Sequence, residues 1–564
     1  MDLTSAEAKS QRFELLHRIG VSLAKEHDRN RLVETILLES KRLCNADGGT
    51  LYVVEQDALQ FAMIHNDSLG VAQGGTTGNP IGLVPIPLRD NRGVPNLKNI
   101  ATRAFHEKQT IHVPDSYNAP SFDMSGARAF DAERNYRTVS VLAIPLLSSK
   151  QAVLAVLQLI NARDPDTGES VPFHPELIRT VNALGAQAGI ELDNQDLIEG
   201  QRNLLESFIK LIAEAIDAKS PYTGGHCERV PVLAEMIVRN LCETKQGPFS
   251  EFQLDDDEWR ELRVGAWLHD CGKVTTPIHI MDKATKLEAV FDRLEWVKAR
   301  YDVLRAQAQA DYWKAVADGA DPAHAAAPRE ALLSEYDEEV SFLTRVNIGG
   351  EFLEQADHQR IARIAQRRVN AGGEVVPLLD ADMVKNLQVS RGTLTQQERV
   401  IINGHMVQTI RMLEKLPFPD GLKRVPEYAG GHHERMDGKG YPKGLYAGDM
   451  SIPARALAIA DVFEALTASD RPYKKGKTLS ESFAIMAKMK EGNHLDPDLL
   501  DQFVRSRVYL DFARQFLSPE QVDEVDVQKV LEAKPLPFEL PNQAARDERW
   551  RSFLPEYLEQ FPEG

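Results

Sequence analysis

From about Phe13 to Cys44 apolar residues recur at the spacing of one helix face, at Leu16, Ile19, Leu23, Leu32, Ile36, Leu37 and Leu43. The period then changes. Thr50–Glu55 and Leu59–Ile64 are short β-type runs on either side of Gln-Asp-Ala, the pattern of a hairpin, and Val139–Leu147 and Ala152–Ile160 are later strands. Between them the sequence predicts a helical stretch around Asn96–Glu107 and a polar loop near Tyr117–Asn135. From about Pro175 to Asp217 the chain is nearly continuous helix former. There Ile190, Leu197, Leu204 and Leu211 repeat every seven residues, the interval that keeps one seam toward a partner helix. Gly189, Gly200, Asn194 and Gln201 interrupt a strict coiled coil, so a packed linker helix is the alternative. A further helical pattern spans Glu288–Ala317 through Val290, Leu294, Val297, Tyr301, Leu304 and Ala308. After the turn-like Asp318–Pro322, Leu333, Tyr336, Val340 and Leu343 form its partner, which predicts an antiparallel helical hairpin. The tail after about Ser518, with Pro535–Pro541 and Trp550–Phe561, either packs on the body or serves as a docking segment.

At 564 residues the chain has room for three or four domains of roughly 150 residues, or two large ones. Its 43% hydrophobic and 27% charged residues are those of ordinary globular protein. With 66 basic and 84 acidic side chains the formal charge is −18, which argues against a coat for nucleic-acid polymer or anionic lipid, though not against small anions at local basic sites. Cys44, Cys227, Cys242 and Cys271 are scattered without a C-x-x-C pair, so neither a disulfide framework nor a thiolate zinc site is expected, and a reducing compartment fits. The first residues lack a basic region followed by an apolar core, and no run approaches the roughly 18 apolar residues of a membrane span. A cytoplasmic protein is expected.

The chemical signal begins at His269-Asp270, within Trp267–Lys273 on an apolar helix starting near Trp259. A lone His-Asp dipeptide is weak. Its company is what counts: Asp217–Val230 with His226 upstream, and downstream His405, His432-His433, Asp437–Pro442, Ala460–Leu466 and Asp470–Lys474. Clustered His and Asp side chains suit a pair of divalent cations, which about 3.5–4 Å apart can generate hydroxide and neutralise developing negative charge. Imidazole and carboxylate suit as ligands. The two oxygens of an aspartate point apart and can bridge two ions, so His269 and Asp270 offer one terminal and one bridging ligand from consecutive positions.

Taken in order, these motifs resemble the HD-GYP domain family over roughly Phe208–Val504. The family is an all-helical branch of the HD metal-dependent phosphohydrolases, with hydrolysis of cyclic di-GMP as its typical activity. The helix–hairpin–helix–strand-pair–helix order of the first 190 or so residues resembles a GAF domain, an α+β sensory fold with a ligand pocket on one sheet face. The implied fold class is an α+β GAF sensory domain followed by an all-α HD-GYP domain carrying a helical-hairpin insertion. Its limits are residues 10–195 for GAF, 196–217 for a connecting helix, 218–520 for HD-GYP with an insertion at about 288–391, and 521–564 for a tail. The insertion puts His405 far beyond His269, but long surface insertions cost little closure entropy.

By this resemblance His226, His269, Asp270 and Asp461 hold one metal, and Asp270, His405, His432 and His433 the other; His226 has a supporting, non-ligating role as its alternative. Lys273, Arg471 and Lys474 match phosphate-contacting positions, and Tyr441 in Gly440-Tyr-Pro442 is either a tight turn or a loop bordering substrate and meeting diguanylate cyclase partners. Tyr222 stands where some members carry an additional carboxylate for a third metal, so two divalent ions are expected. Iron or manganese leads, with zinc and magnesium as alternatives. In nucleotide-binding GAF domains an Asn-Lys pair couples to downstream Phe and acidic residues; here Asn161 precedes Ala162, with Phe173 and Glu176 further on, so Asn161 either caps a turn or senses a nucleotide. Glu464-Ala-Leu466 spells the signature of an unrelated β/α-barrel phosphodiesterase and reads as coincidence. The expected protein is thus a cyclic di-GMP phosphodiesterase regulated by a GAF domain with an unknown small ligand, acting as a homodimer. Cyclic GMP-AMP is the alternative substrate, and a non-catalytic dinucleotide-binding adaptor or a guanosine tetraphosphate hydrolase are the rival functions.

Overall fold

The computed structural model describes residues 6–26, 28–219, 225–469 and 476–546. The chain divides into two compact units, residues 1–205 and 206–564.

In the first unit helices α1 (Ala6–Ala24) and α2 (Arg29–Cys44) precede strands β1 (Ala46–Glu55), β2 (Ala58–Asn66), β3 (Val71–Gly74) and β4 (Ile86–Pro87). Then follow α3 (Ile100–Glu107), β5 (Ile111–Val113), α4 (Ser125–Arg134), β6 (Val141–Leu147), β7 (Val153–Arg163), β8 (Ser170–Val171) and the long helix α5 (Pro175–Asp217). The antiparallel sheet has the order β3-β2-β1-β7-β6-β5. β1 and β2 form the expected hairpin around a two-residue turn, Gln56-Asp57, whose φ angles of 46° and 62° carry the twist that a tight hairpin needs. Alternation then sorts the sheet into two faces. Leu51, Leu157 and Leu159 pack with Ile36 and Leu37 of α2 and Leu184 of α5, while Tyr52, Val141, Ala143 and Val156 pack with Ile100 and Ala104 of α3.

Two expectations change here. The helical pattern of Phe13–Cys44 is two helices, the second opened by Asp28, whose carboxylate accepts the Arg31 amide at 2.8 Å. The polar loop at 117–135 contains α4. Its apolar face is too thin to read, for Phe130 is exposed and Asp131 is the buried position, and the helix closes on Asn135 in the left-handed conformation at φ 49°.

The second unit contains α6 (His226–Glu243), α7 (Asp256–Leu268), α8 (Ile278–Met281), α9 (Leu294–Ala317), α10 (Pro322–Asn347), α11 (Gln355–Ile364), β9 (Arg368–Ala371), β10 (Glu374–Pro377), α12 (Ala381–Leu387), α13 (Gln396–Glu414), α14 (Val425–Gly430), α15 (Ile452–Thr467), α16 (Leu479–Glu491), α17 (Pro497–Ser506), α18 (Val508–Phe516) and α19 (Val527–Glu532). Its main core gathers Phe463, Phe483, Phe503 and Phe512 against Val230, Leu233 and Val238 of α6. α9 and α10 do form an antiparallel pair, since Tyr301 bonds Glu339 and Arg305 bonds Asp337. The segment between Asp270 and His405 holds more than that pair. It adds α11, α12 and the β9–β10 hairpin, and closes its own core of Leu287, Tyr301, Leu343, Ile361, Val369, Leu378, Met383 and Leu387. Helix α9 starts at Leu294 rather than at Glu288, because the Glu288 carboxylate turns back onto the Ala284 and Thr285 amides and Asp292 caps Leu294. Val290, counted above on the apolar face, is 93% exposed. Among the described residues no helix is long and apolar enough to cross a membrane.

Candidate metal centre

Helix α7 opens with a capping box between Asp255 and Glu258 and buries Leu262, Ala266 and Leu268. That anchoring delivers His269 at its C-terminal end and Asp270 just beyond, at φ −106° and ψ 12°, before the tight turn Cys271–Thr275. α6 begins at His226 itself, after Gly225 at φ 82°. His405 lies within α13, His432 and His433 follow α14, and Asp461 lies on α15. Contact between α13 and the turn after Asp270 depends on Gly272: a Cβ there would stand 1.9 Å from the His405 carbonyl oxygen, and the Gly272 amide donates to Thr409 Oγ1 at 2.9 Å. The residue between helix and turn is small because their backbones touch, and this contact brings His405 to Asp270 across the long segment that separates them in sequence.

Asp270 divides the cluster. Its Oδ2 lies 3.3 Å from His226 Nε2 and 3.2 Å from His269 Nε2, while Oδ1 lies 3.3 Å from His405 Nε2 and 4.0 Å from His432 Nε2. Asp461 Oδ1 is 3.3 Å from His226 Nε2 and 3.9 Å from His269 Nε2. Two groups result, each with its potential ligand atoms within 4.8 Å of one another: His226, His269 and Asp461, and Asp270, His405, His432 and His433.

Local backbone chemistry fixes the imidazoles. Nδ1 of His269, His405 and His432 meets the carbonyl oxygen three residues earlier, of Ala266, Ile402 and Ala429, at 2.7, 2.5 and 2.7 Å. A carbonyl only accepts, so Nδ1 carries a proton and Nε2 is the nitrogen turned toward the carboxylates. His226 Nδ1 meets Glu464 Oε2 at 2.5 Å; burial alone would lower this imidazole, but Glu464, Asp270 and Asp461 outweigh it and raise it well above the ordinary range. The four Nε2 atoms and Asp270 Oδ1 are buried without a hydrogen-bond partner. A buried polar atom left unsatisfied costs about 1–3 kcal/mol, so this concentration in one place fits a bound cation and little else.

Burial holds the His432 imidazole down to about 4 and lowers His433 as well, leaving both neutral. Burial alone would raise the Asp270 carboxyl, but Lys273 and His269 overcome it and hold it well below the ordinary carboxylate range. For Asp461 burial is likewise outweighed, by His226, and the carboxyl is lowered.

Lys273, expected at a phosphate, pairs with Asp270 Oδ2 at 2.5 Å. Tyr441 stacks on His433, with ring centroids 4.9 Å apart and planes at 20°. Its loop fits closely: a Cβ on Gly440 would meet the Glu434 backbone at 2.4 Å, and buried Glu434 accepts the Lys443 and Leu445 amides at 2.6 and 2.9 Å. Arg471, Lys474 and Tyr222 lie outside the described residues. Asn161 serves the sheet: its Oδ1 accepts the Val139 amide at 2.6 Å and its Nδ2 donates to Tyr136 and the Arg137 carbonyl. Phe173 is core, and Glu176 pairs with Arg179. One residue went unrecognised. Glu464, set aside within a misleading tripeptide, is buried between His226 and Arg229, whose Nε donates to it at 2.7 Å. Its place three residues after Asp461 on a helix puts it on the same face, and that spacing was the available signal.

An α+β unit followed by a helix-rich unit with a buried His/Asp cluster defines a sensory fold joined to an HD-type metal site. Residues 28–192 match the GAF domain family and residues 360–499 match the HD domain family. The chain carries a GAF domain followed by an HD domain. The matched HD segment contains His405, His432, His433 and Asp461, while His226, His269 and Asp270 precede it. Among curated proteins of Vibrio cholerae serotype O1, 3'3'-cGAMP-specific phosphodiesterase 1 is 40% identical over 115 residues, 20% of this chain and 26% of that protein. 3'3'-cGAMP-specific phosphodiesterase 3 is 26% identical over 323 residues, 57% of this chain and 41% of that protein. A probable cyclic di-GMP phosphodiesterase is 33% identical over 156 residues, 26% of this chain and 35% of that protein. The chain thus spans well under half the length of each of these relatives.

Proposed function

We propose that the chain hydrolyses a cyclic dinucleotide, with cyclic di-GMP as the substrate, in an HD-GYP domain under control of its GAF domain. The observation that carries this reading is the convergence of four unpartnered imidazole nitrogens on the two oxygens of one buried aspartate. His226, His269, Asp270 and Asp461 would hold one divalent ion, and Asp270, His405, His432 and His433 the other, with iron or manganese suiting the thiolate-free donor set. Such a pair supplies a hydroxide nucleophile at neutral pH and neutralises the phosphoryl oxygens. The chain's own part is orientation. Nδ1 contacts aim four of the five imidazoles, Asp270 and Asp461 stay ionised, and Lys273 would exchange its contact with Asp270 for a phosphate oxygen. Tyr441, with Arg471 and Lys474, would border and bind the dinucleotide.

We extend the proposal to residues 10–195 as the sensory domain, 196–217 as the connecting helix, 218–520 as the catalytic domain and 521–564 as a tail. Exposure of Ile190, Leu197, Leu204 and Leu211 at 51–58% supports a homodimer paired along α5. The GAF domain would take a small ligand, the Gly-Tyr-Pro loop would meet a diguanylate cyclase, and the protein would work in the cytoplasm. Cyclic GMP-AMP is the second reading for the substrate, favoured by the names of two relatives. The test is hydrolysis of both dinucleotides by protein loaded separately with Mn²⁺ and Fe²⁺, with Asp270→Ala as control. Metal-dependent turnover lost in the control is expected, and the relative rates rank the substrates. No turnover by metal-loaded protein, with binding retained, would replace the enzyme with a dinucleotide-binding adaptor.

A further inference from the structure

Helix α5 ends at Asp217, and the two segments that bear His226 and Asp270 are both tied to that end. Lys219 donates to three backbone carbonyls, of Lys273 at 3.1 Å, Val274 at 2.5 Å and Thr276 at 2.7 Å. An ammonium has three N–H groups, so these contacts use its whole donor capacity on one stretch of backbone. That stretch is the turn that leaves Asp270 and carries Lys273. Asp217 Oδ2 accepts the amide of Cys227, the residue after His226, at 3.0 Å. On the same helix end Ile209 and Ile216 pack with Val264, Leu268 and Cys271, on both sides of the His269-Asp270 pair. Nothing in the proposed chemistry uses Asp217 or Lys219. Their effect is mechanical: one grips the chain after Asp270, the other the first turn of the helix that begins with His226.

We propose that Asp217 and Lys219 are positioning residues for the metal centre, through which the end of α5 sets the spacing between His226 and Asp270. The dependence on geometry is steep. His226 Nε2 and Asp270 Oδ2 are 3.3 Å apart, and a misplacement of about 1 Å at a reacting centre costs about 10²-fold in rate. An axial or rotational shift of α5 would therefore reach the site directly at Lys219, before any repacking of the core. For its activity readout, though not for its spectroscopic one, this inference rests on the phosphodiesterase reading.

The experiment uses the full chain loaded with Mn²⁺, comparing wild type with Lys219→Met, Lys219→Arg and Asp217→Ala. Thermal melting, Mn stoichiometry, the Mn–Mn electron paramagnetic resonance spectrum, and kcat and KM on cyclic di-GMP are measured for each. Lys219→Met is expected to bind metal but with an altered Mn–Mn spectrum, and to lose about 10²-fold in kcat with KM within about twofold. Lys219→Arg, which keeps the charge but presents its donors in a planar fork, is expected to fall between wild type and Lys219→Met in both rate and spectrum. Asp217→Ala should move the spectrum in the same direction and by less, and it decides the matter if Lys219→Met does not fold. A wild-type spectrum and rate in Lys219→Met, or in a folded Asp217→Ala where the lysine variant is lost, overturns the proposal. If wild type turns over no cyclic dinucleotide the phosphodiesterase reading fails, and the Mn–Mn spectra still decide the positioning role.

Discussion

Two buried polar clusters, one in each unit, look alike in composition and differ in how their atoms are satisfied. In the GAF domain Asp47 is almost fully buried, yet its Oδ1 takes the Ser68 hydroxyl at 2.9 Å and the Arg163 guanidinium at 2.5 Å, and its Oδ2 takes the Tyr136 hydroxyl at 2.5 Å. Asn161 completes the set by donating to Tyr136 and holding the start of β6. Every partner is protein. In the HD domain Asp270 is as deeply buried, but its Oδ1 and the four imidazole Nε2 atoms around it have no hydrogen-bond partner. A closed network stabilises the fold, whereas an open one is arranged for something that the chain does not contain. Burial alone does not separate the two cases; the count of unsatisfied atoms does.

The sharpest way to break the comparison is to delete one member from each side. On the proposed two-metal reading, His405→Ala should lower phosphodiester turnover by about 10³-fold or more, because one ion would lose a ligand. The same change should leave the melting temperature of chelator-treated protein unchanged or higher, since it removes a buried, unsatisfied nitrogen. A large drop in the stability of the metal-free protein would mean that the imidazole cluster is structural after all. Asp47→Ala should behave in the opposite sense. It strands the Tyr136 hydroxyl, the Ser68 hydroxyl and the Arg163 guanidinium, and should destabilise the GAF domain by about 3 kcal/mol while leaving metal content untouched. Denaturant melts and metal analysis of the purified variants check both halves.

Glu464 belongs to the open cluster by location and to the closed one by satisfaction, with His226 and Arg229 both donating to it. Glu464→Gln keeps one acceptor for His226 but loses the ion pair with Arg229, so metal affinity should fall by about tenfold without loss of fold. Metal titration against a competing chelator measures this, and an unchanged affinity would reduce Glu464 to a core ion pair.

The motifs around His269-Asp270 made the clustered His and Asp residues readable because chemistry of this kind restricts residue type at each position, and the contacts that aim His269, His405 and His432 need only a nearby backbone carbonyl. Lys219 and Glu464 were not readable. Each acts through a contact across the fold, and a lysine near a helix end or a glutamate on a buried helix is ordinary until the partner is seen. Similar physics explains the fold. The β1–β2 hairpin and α5 follow from period and turn residues, whereas α4 lacks an apolar face to announce it, and the β9–β10 hairpin rests on a four-residue pairing whose exposed Val375 carries no alternation signal.

Lys286 supplies a third case, between the closed cluster and the open one, and the smallest expected effect. It is fully buried, and its ammonium donates to the Leu387 and Val389 carbonyls, at 3.2 and 2.6 Å. Burial therefore pushes it down to about 8 from an ordinary 10.5. The sign follows from proton counting. Between pH 8 and 10.5 the unfolded chain still holds this proton and the folded chain has released it, so stability rises with pH across that window; below pH 8 the full cost of the buried charge is present. The span corresponds to about 3 kcal/mol. Lys286→Met replaces the ammonium with an apolar group of similar length. The stability difference, wild type minus Lys286→Met, should therefore climb toward alkaline pH by up to that amount, other titrating groups cancelling in the subtraction. Parallel denaturation curves for the two proteins from pH 7 to 10.5 would show instead that two carbonyls are enough to keep a buried ammonium at its ordinary pKa.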